Sequence, residues 1–364
     1  MSEDDVIWEM VPHTGAKHAI LDYYLKAWLP ILANSGNSRL VYIDGFAGPG
    51  IYKGGEPGSP IIALKIARDH RIKLESEIIF YFIEADKERS DNLEKEIGKI
   101  AKTLPENFKI GNICNKFAVE MKEVLDQLDK TGNTLAPSFV FIDPFGFSSF
   151  PLSIITRIMK NKKCEILITF MHSFIDRFDS RPEIEPILNE TFGTTDWKTI
   201  DRIKDDEKRK DLFRDLYMKQ LREEAGIKYV HSFEMRDTSD KPIYCLVFGT
   251  NHERGLEVMK EAFWKIDATG NFRFADKTIS GQTILFGADL SPLRTYLITK
   301  HKGERLPWKQ LWNIVNIDTP YLTTHLRKIL IKMEYEVDPP EISVEATDRR
   351  AKTYPEDRAI ITII

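Results

Sequence analysis

The sequence predicts an α/β protein with a mostly parallel sheet and a smaller module at its carboxyl end. Apolar runs of strand length alternate with helical patterns as far as Phe170, and this alternation is typical of parallel strands joined by right-handed crossovers. Runs such as "IIFYFI" and "FVFI" are almost continuously apolar, as expected for strands covered on both faces. A mostly helical pattern with two terminal strands begins at residue 291.

The first element is an amphipathic helix predicted over Thr14–Leu32, because apolar residues recur there at helical spacing. Pro30 should kink or end this helix. The apolar runs that follow predict five strands, Arg39–Ile43, Ile78–Ile83, Phe108–Gly111, Phe139–Ile142 and Glu165–Phe170. Helices are predicted between them, over Pro60–Asp69, Lys87–Leu104, Phe117–Lys130 and Leu152–Lys160.

A polar, helix-rich insertion is predicted after the fifth strand, at about 176–226. The segments "KYVHSFEMRD" and "PIYCLVFGTN" follow, and the turn-forming "TSDK" between them indicates a β-hairpin. We expect this antiparallel hairpin to close the sheet of five parallel strands. A helix over "ERGLEVMKEAFWKID" comes next, so that the first domain is predicted to span residues 1–285.

A second domain is predicted over residues 291–364. Three short helices, "SPLRTYLITKH", "LPWKQLWNIVN" and "TPYLTTHLRKILIKME", precede two strands, "EISVEA" and "AIITII". Three helices and a two-stranded wing describe a winged helix-turn-helix, and the alternative is a small α+β module that only packs on the first domain.

Charge makes this second domain the better candidate for a nucleic-acid contact. It holds 12 Lys and Arg against 10 Asp and Glu, a net of +2, in a chain whose net charge is −4. Cations on the third helix and the wing are therefore expected to contact DNA or RNA. These cations are Arg327, Lys328, Lys332, Arg349 and Arg350.

Composition favours a soluble, two-domain protein of 364 residues, 42% of them hydrophobic and 30% charged. No run approaches the roughly 18 apolar residues of a membrane span. The acidic start "MSEDDVIWEM" lacks a signal-peptide pattern. The three cysteines are scattered, which argues against a disulfide framework and against a metal site built from cysteines. A cytoplasmic protein without a bound metal is expected.

A glycine-rich loop, "DGFAGPGIYKGGEPGSP", follows the first strand, where open α/β sheets bind ligands. A phosphate-binding P-loop would need Gly-Lys-Ser/Thr, which is absent, and a dinucleotide fingerprint would need glycine where Lys53 stands. The pattern Asp44-x-Phe46-x-Gly48-x-Gly50 resembles motif I of class I S-adenosylmethionine (SAM) methyltransferases. The resemblance implies that Asp44 faces the positively charged methionine part of SAM. The alternative is a turn needed only for sheet packing.

Two further polar residues end the next strands. Glu84 is placed to accept hydrogen bonds from ribose hydroxyls, as an acid does in dinucleotide sites, although it lies farther from the glycines than is usual. The alternative for Glu84 is a solvated acid at the strand end. Asn112 stands where methyltransferases often place an acid or amide for the adenine amino group.

The fourth strand ends in Asp143-Pro144-Phe145-Gly146, which resembles the D/N-P-P-Y/F/W motif of amino methyltransferases. In that motif a side-chain oxygen and a backbone carbonyl accept the two hydrogens of an exocyclic amine, and an aromatic ring stacks on the base. Asp143, Pro144 and Phe145 are therefore the predicted catalytic residues. The third and fourth positions depart from the motif, which leaves a Pro-Gly turn as the alternative.

Taken together, "YIDGFAGPG", "GEPGSP", "FIDPFGF", "VFGTNHERGLEVMKEAFWKID" and the terminal module resemble the three-Cys-motif partner (TcmP) family. The resemblance implies a class I methyltransferase domain of Rossmann-like fold, a winged helix, SAM as cofactor and a partner protein bearing a three-cysteine motif. We therefore expect a SAM-dependent methyltransferase acting on a base amine of DNA or RNA. The alternatives are a catalytically inactive subunit that binds nucleic acid or the partner, and a different nucleotide-using enzyme.

Three more side chains are candidates for the site. Lys17 and His18 precede the first strand, and a Lys-His pair in that position borders the cofactor pocket in some adenine-N6 methyltransferases of RNA. The alternative is an exposed helix surface. His252 in "TNHERG" is either an acid-base group or a cap at the strand end.

Overall fold

The computed structural model describes residues 6–144, 150–172, 184–277 and 288–364. The chain divides into two compact units, one of Met1–Gly255 with Arg273–Ile279 and one of Leu256–Phe272 with Ser280–Ile364. This division differs from the predicted boundary near residue 285, because Leu256–Phe272 belong to the second unit. None of the helices in the described ranges is long and apolar enough to cross a membrane.

Within the described residues, the first unit holds one sheet of eight strands in the order β3-β2-β1-β4-β5-β7-β6-β8. The strands are β1 (Arg39–Asp44), β2 (Glu77–Glu84), β3 (Phe108–Cys114), β4 (Ser138–Ile142), β5 (Cys164–Phe170), β6 (Tyr229–Arg236), β7 (Pro242–Thr250) and β8 (Arg273–Ala275). Strands β1 to β5 run parallel, and β7 pairs antiparallel with both β5 and β6. The predicted parallel sheet with a hairpin is confirmed, and the fold is Rossmann-like. The short β8, parallel to β6, was not predicted because three residues show no periodicity.

The helices of the first unit are α1 (Pro12–Ala33), α2 (Ser59–Arg68), α3 (Lys87–Ala101), α4 (Phe117–Thr131), α5 (Leu152–Met159), α6 (Glu185–Phe192), α7 (Trp197–Ile200) and α8 (Asp206–Glu223). Helix α1 continues past Pro30, so this proline does not end the helix. A proline leaves the carbonyl four residues earlier without its helical donor. Here that carbonyl, of Lys26, lies 3.2 Å from Nε2 of His70.

The order of the strands reverses between β1 and β4, which are neighbours in the sheet although two strands separate them in the chain. Such a switch point opens a crevice beyond the carboxyl ends of the strands, where ligands of α/β proteins bind. Asp44 ends β1, Glu84 ends β2 and Asp143 follows β4 directly. The parallel register therefore brings the three predicted acids to one edge of the sheet.

A buried polar cluster fixes α1 on this sheet. Glu165 accepts hydrogen bonds of 2.6 Å from the hydroxyls of Tyr24 on α1 and Thr250 on β7. The Tyr24 ring also packs against Phe139 of β4, with the ring centroids 5.0 Å apart. Burial raises the pKa of the Glu165 carboxyl. These contacts anchor α1 to the sheet and so position its first turns near the carboxyl ends of the strands.

The second unit contains α9 (Glu253–Ile266, from Leu256 onward), α10 (Ser291–His301), α11 (Trp308–Asp318) and α12 (Thr323–Tyr335). Its strands β9 (Arg305–Pro307), β10 (Ile342–Glu345) and β11 (Ile360–Ile363) form an antiparallel sheet in the order β10-β11-β9. The three predicted helices and two terminal strands are present, and β9 adds a strand. Helix α9 groups with this unit because Trp264 Nε1 donates to the Pro320 carbonyl at 2.8 Å, and Lys260 Nζ to Asn316 Oδ1 at 3.0 Å.

Candidate functional site

A cavity of about 500 Å³ opens at the carboxyl ends of the parallel strands, which is within the range of roughly 300–1,000 Å³ typical of small-molecule sites. We call the residues that the β1–α2 loop and the β2–α3 turn contribute the loop set. The loop set comprises Phe46, Ala47, Gly48, Pro49, Gly50, Ile51, Tyr52, Gly58, Ser59, Glu84, Ala85, Asp86 and Arg89. The cavity residues that come from α1, from β7 and from the ends of β4 and β5 are called the helix set. The helix set comprises His13, Thr14, Lys17, Asp143, Pro144, Thr169, Met171, Ile243 and Tyr244.

The glycines of the loop set stand where a side chain does not fit. Gly48 and Gly50 have φ of 64° and 80°, a left-handed backbone that favours glycine. A Cβ on Gly50 would lie 2.8 Å from Leu93 Cδ1, and one on Gly58 would lie 3.1 Å from the Gly50 carbonyl carbon. The Gly58 N–H donates to the Gly50 carbonyl at 2.8 Å. The loop thus folds back on itself with bare backbone facing the cavity.

Glu84 ties this loop to the second strand. Its Oε2 accepts the Gly48 N–H at 2.8 Å, and its Oε1 accepts the Asp86 N–H at 2.9 Å. The side chain lines the cavity and is buried, so the alternative of a solvated acid is wrong. Each carboxylate oxygen can accept more than one hydrogen bond, which leaves Glu84 able to accept a ligand hydroxyl as well.

Asn112, the residue predicted to face adenine, does not line the cavity. Its amide nitrogen lies 3.0 Å from the Ser90 carbonyl and 3.1 Å from the Glu94 carboxylate. The side chain therefore links β3 to the first turns of α3. The described structure does not support the predicted contact of Asn112 with a ligand in this cavity.

Asp44 is fully buried beneath the loop, next to the cavity-lining Phe46 and Ser59. Its Oδ2 accepts a long hydrogen bond, 3.3 Å, from the Tyr42 hydroxyl, and its Oδ1 has no hydrogen-bond partner within the described residues. Burial raises the pKa of Asp44 to about 7, against the opposing effect of a hydrogen bond with Ser59. Desolvation of the ionised form explains this direction, and a cation placed nearby would reverse it.

The third predicted acid, Asp143, is paired with a lysine of helix α1. Its Oδ2 lies 2.5 Å from Nζ of Lys17, and the same ammonium stands 5.4 Å from the centre of the Tyr244 ring. Burial lowers the pKa of the adjacent His18 to about 4, and its ring lies 5.7 Å from that of Tyr52. Lys17 and His18 are both buried, so the alternative of an exposed helix surface is wrong.

Several cavity residues escaped the sequence analysis. His13 stands four residues before Lys17, which places the two on one face of α1, and this spacing was the available signal. Nδ1 of His13 lies 2.8 Å from Oδ2 of Asp276, which follows β8 directly. Thr169 at the end of β5 is buried, and its hydroxyl has no hydrogen-bond partner among the described residues. No local pattern marks Asp276 or Thr169.

Of the other predicted residues, Pro144 lines the cavity, whereas Phe145 lies outside the described residues. His252 does not line the cavity. Its Nδ1 accepts the Arg254 N–H at 3.1 Å, at the start of α9. The ring nitrogen thus caps the start of the helix, whereas the predicted alternative to an acid-base role was a cap at the strand end.

The predicted nucleic-acid residues fall into two groups. Lys328, Lys332 and Arg350 are exposed. Arg327 donates to Glu356 at 2.8 Å, and its guanidinium lies 4.6 Å from the centre of the Trp308 ring. Arg349 forms a two-pronged ion pair with Glu334 in which the side chains are only 11% and 14% exposed. Arg327 and Arg349 therefore form ion pairs within the second unit, which the sequence did not predict.

No protein-family model matches the sequence, and neither does any curated protein. The chain is similar to the solved structure of protein LPL1258 from Legionella pneumophila, at 14% identity and a TM-score of 0.37 over 64% of this chain and 84% of that one. It is also similar to an O-methyltransferase from Bacillus cereus in complex with SAH, at 10% identity and a TM-score of 0.32 over 66% of this chain and 82% of that one. A third similar structure is the N-terminal domain of human METTL16 in complex with SAH, at 11% identity and a TM-score of 0.29 over 62% of this chain and 68% of that one.

These likenesses are too remote to assign a family or an activity. The fold therefore rests on the strand order and register of the chain itself. Membership of the TcmP family stays a prediction.

Proposed function

We propose that this protein is a SAM-dependent methyltransferase whose acceptor is an exocyclic amine of a DNA or RNA base. The observation that supports the proposal best is Asp44, a buried carboxylate with an unpartnered oxygen at the switch point of the sheet. It adjoins a loop whose glycines bring backbone without side chains to the cavity wall. A buried carboxyl with one unpartnered oxygen, beside glycine backbone at the cavity wall, suits a ligand that carries a cation and a carboxylate, as the methionine part of SAM does.

The residues present fit SAM in three places. Asp44 would face its positive charge, and the backbone around Gly48 and Gly50 would accommodate its carboxylate. Glu84 would accept the ribose hydroxyls, because its two recorded hydrogen bonds leave further acceptor capacity. When bound, SAM supplies an electrophilic methyl group on a sulfonium.

Asp143 supplies the acceptor's hydrogen-bond partner in this proposal. The Lys17 ammonium holds one of its oxygens, so the carboxylate is fixed in position and remains 20% exposed toward a ligand. An ionised carboxylate only accepts hydrogen bonds, which suits an amine that donates. Fixing donor and acceptor in place accounts for a large share of rate enhancement in such transfers. The Tyr244 ring also lines the cavity, where it packs beside Lys17 and His13.

The second unit is proposed to be a winged helix-turn-helix that binds nucleic acid. The order of three helices with a terminal antiparallel pair of strands supports it, as do the exposed Lys328, Lys332 and Arg350. The resemblance to the TcmP family alone supports a partner protein with a three-cysteine motif.

One observation favours a second candidate, a subunit without catalysis. Lys17 already occupies the Asp143 carboxylate at 2.5 Å, and an amine acceptor must share that carboxylate with it. If Lys17 fills the acceptor position permanently, the domain would bind nucleic acid or the partner without transferring a methyl group.

Isothermal titration and methyl transfer together test the proposal. SAM or S-adenosylhomocysteine should bind with a Kd in the low micromolar range, corresponding to about −8 kcal/mol, and NAD and ATP should bind much more weakly. Labelled SAM should then label DNA or RNA, with or without the three-Cys partner. Tight SAM binding without label in any pool would favour the second candidate, and preference for NAD or ATP would exclude both.

A further inference from the structure

The helix set contains a proton acceptor that no sequence motif announced. We propose that His13, oriented by Asp276, is the general base that takes the proton released by the methyl acceptor. The inference rests on the proposed methyltransferase function and assigns the residue that completes its reaction.

The geometry is that of a histidine–carboxylate dyad. Nδ1 of His13 lies 2.8 Å from Oδ2 and 3.1 Å from Oδ1 of Asp276, and the two side chains are 18% and 10% exposed. Asp276 is held in turn by its own N–H, which donates to the Arg236 carbonyl at 3.0 Å. An ionised carboxylate accepts only, so the proton resides on Nδ1 of the neutral ring and Nε2 is the basic nitrogen. Nε2 makes no hydrogen bond to the described part of the chain, and His13 lines the cavity.

The reaction needs such a group because Asp143 is unsuited to keep the proton. The Lys17 ammonium already contacts one of its oxygens at 2.5 Å, and in the proposed role the acceptor amine donates to the same carboxylate, so Asp143 holds the amine in place. A bond forms between the acceptor nitrogen and the methyl carbon, while the sulfur–methyl bond breaks and its electron pair stays on sulfur, leaving a neutral thioether. The nitrogen then carries one proton too many, which passes to Nε2 of His13. The imidazolium is stabilised by Asp276 and later releases its proton to water.

The surroundings of His13 are consistent with a base beside an acceptor. The Tyr244 ring packs edge-on against the imidazole, with centroids 5.6 Å apart. Asp276 and Tyr244 contact the ring, and Lys17 with its partner Asp143 follows one turn along α1. The only carboxylate that pairs with the ring among the described residues is therefore Asp276.

The first test is methyl transfer from labelled SAM by His13→Ala, with His252→Ala as the matched control outside the cavity. We expect kcat to fall about 10²- to 10⁴-fold, as for the loss of a general base, while the Kd for S-adenosylhomocysteine changes less than about twofold. Added imidazole should restore part of the rate, which a merely structural histidine would not allow. The His252 variant should keep the wild-type rate.

Asp276→Asn tests the orienting role. Its carboxylate fixes the orientation and tautomer of the ring, so without it kcat should fall while the Kd for S-adenosylhomocysteine stays unchanged. NMR of ¹⁵N-labelled imidazoles supplies a readout independent of turnover. In the wild type the His13 signals should report a proton on Nδ1 and should shift when adenosine or cytidine monophosphate is added with S-adenosylhomocysteine.

The outcomes separate the base from the function. Label transfer by the wild type with an undiminished rate in His13→Ala and His13→Gln would overturn the base and leave the methyltransferase standing. A proton found on Nε2 in the wild type would overturn it too, even if the alanine variant failed to fold. Binding of SAM without transfer to any pool would overturn the methyltransferase and the base together.

Discussion

Replacing Asp44 by asparagine removes a buried charge and should change how stability depends on pH. In the folded protein without ligand, burial raises the pKa of Asp44 from 3.8 to about 7. The folded state therefore binds a proton at Asp44 more tightly than the unfolded chain does. The stability that this group contributes is complete below pH 3.8 and is lost progressively as the pH rises to about 7. Above that the loss is constant.

The size of the effect follows from the two pKa values. Linkage gives a loss of roughly 2–3 kcal/mol of unfolding free energy between about pH 5 and pH 8 for one such group. The asparagine side chain has no proton to exchange, so Asp44→Asn should lack this loss. Bound SAM should reverse the trend in the wild type, because its cation favours the ionised carboxylate. Its affinity should therefore rise over the same pH range, and should do so less in the variant.

Urea unfolding followed by tryptophan fluorescence at pH 5 and pH 8 measures this difference, both values lying clear of the pI of about 6.1. Asp91→Asn, an exposed carboxylate on α3, removes the same formal charge and serves as the control. The difference in unfolding free energy between the wild type and Asp44→Asn should change by the stated amount between the two pH values, and Asp91→Asn should follow the wild type. A constant offset between wild type and Asp44→Asn would refute the reasoning from burial.

Three further predictions concern the loop, the acceptor and the second unit. Gly50→Ala should abolish SAM binding in titrations. The control is Gly36→Ala, which has a similar φ of 75° but open space around it and should only lower stability. Equal SAM affinities of the two variants would show that the loop is not part of the site. Asp143→Ala should lower turnover by orders of magnitude with little change in SAM affinity, and full activity would exclude it as the amine's partner. Arg349→Ala should lower the unfolding free energy of the second unit by about 1–3 kcal/mol, because it leaves the half-buried Glu334 with the Tyr354 hydroxyl in place of a two-pronged ion pair. Arg350→Ala should instead leave stability intact and weaken nucleic-acid binding in a salt-dependent way, and the reverse pattern would assign the contact to Arg349.

The sequence was sufficient for the framework of the first unit. Continuous apolar runs predicted five parallel strands because strands covered on both faces need them, and the residues that end these strands had to share one edge. That is why Asp44, Glu84 and the glycine loop could be placed together before any coordinates. The hairpin of β6 and β7 was equally local, since its turn carries its own signal.

Only the tertiary structure decided what these elements meet. Helical spacing predicts that His13 and Lys17 share one face of α1. It does not predict that this face contacts Asp143 and Asp276. Asp276 is 263 residues away from His13 in the chain, and a contact between such distant segments leaves no pattern in either of them. For the same reason the positive charge of Arg349 led to the prediction of a nucleic-acid contact, whereas in the folded protein Arg349 forms an ion pair with Glu334. Local patterns specify which residues share a face, and long-range packing specifies which groups that face pairs with.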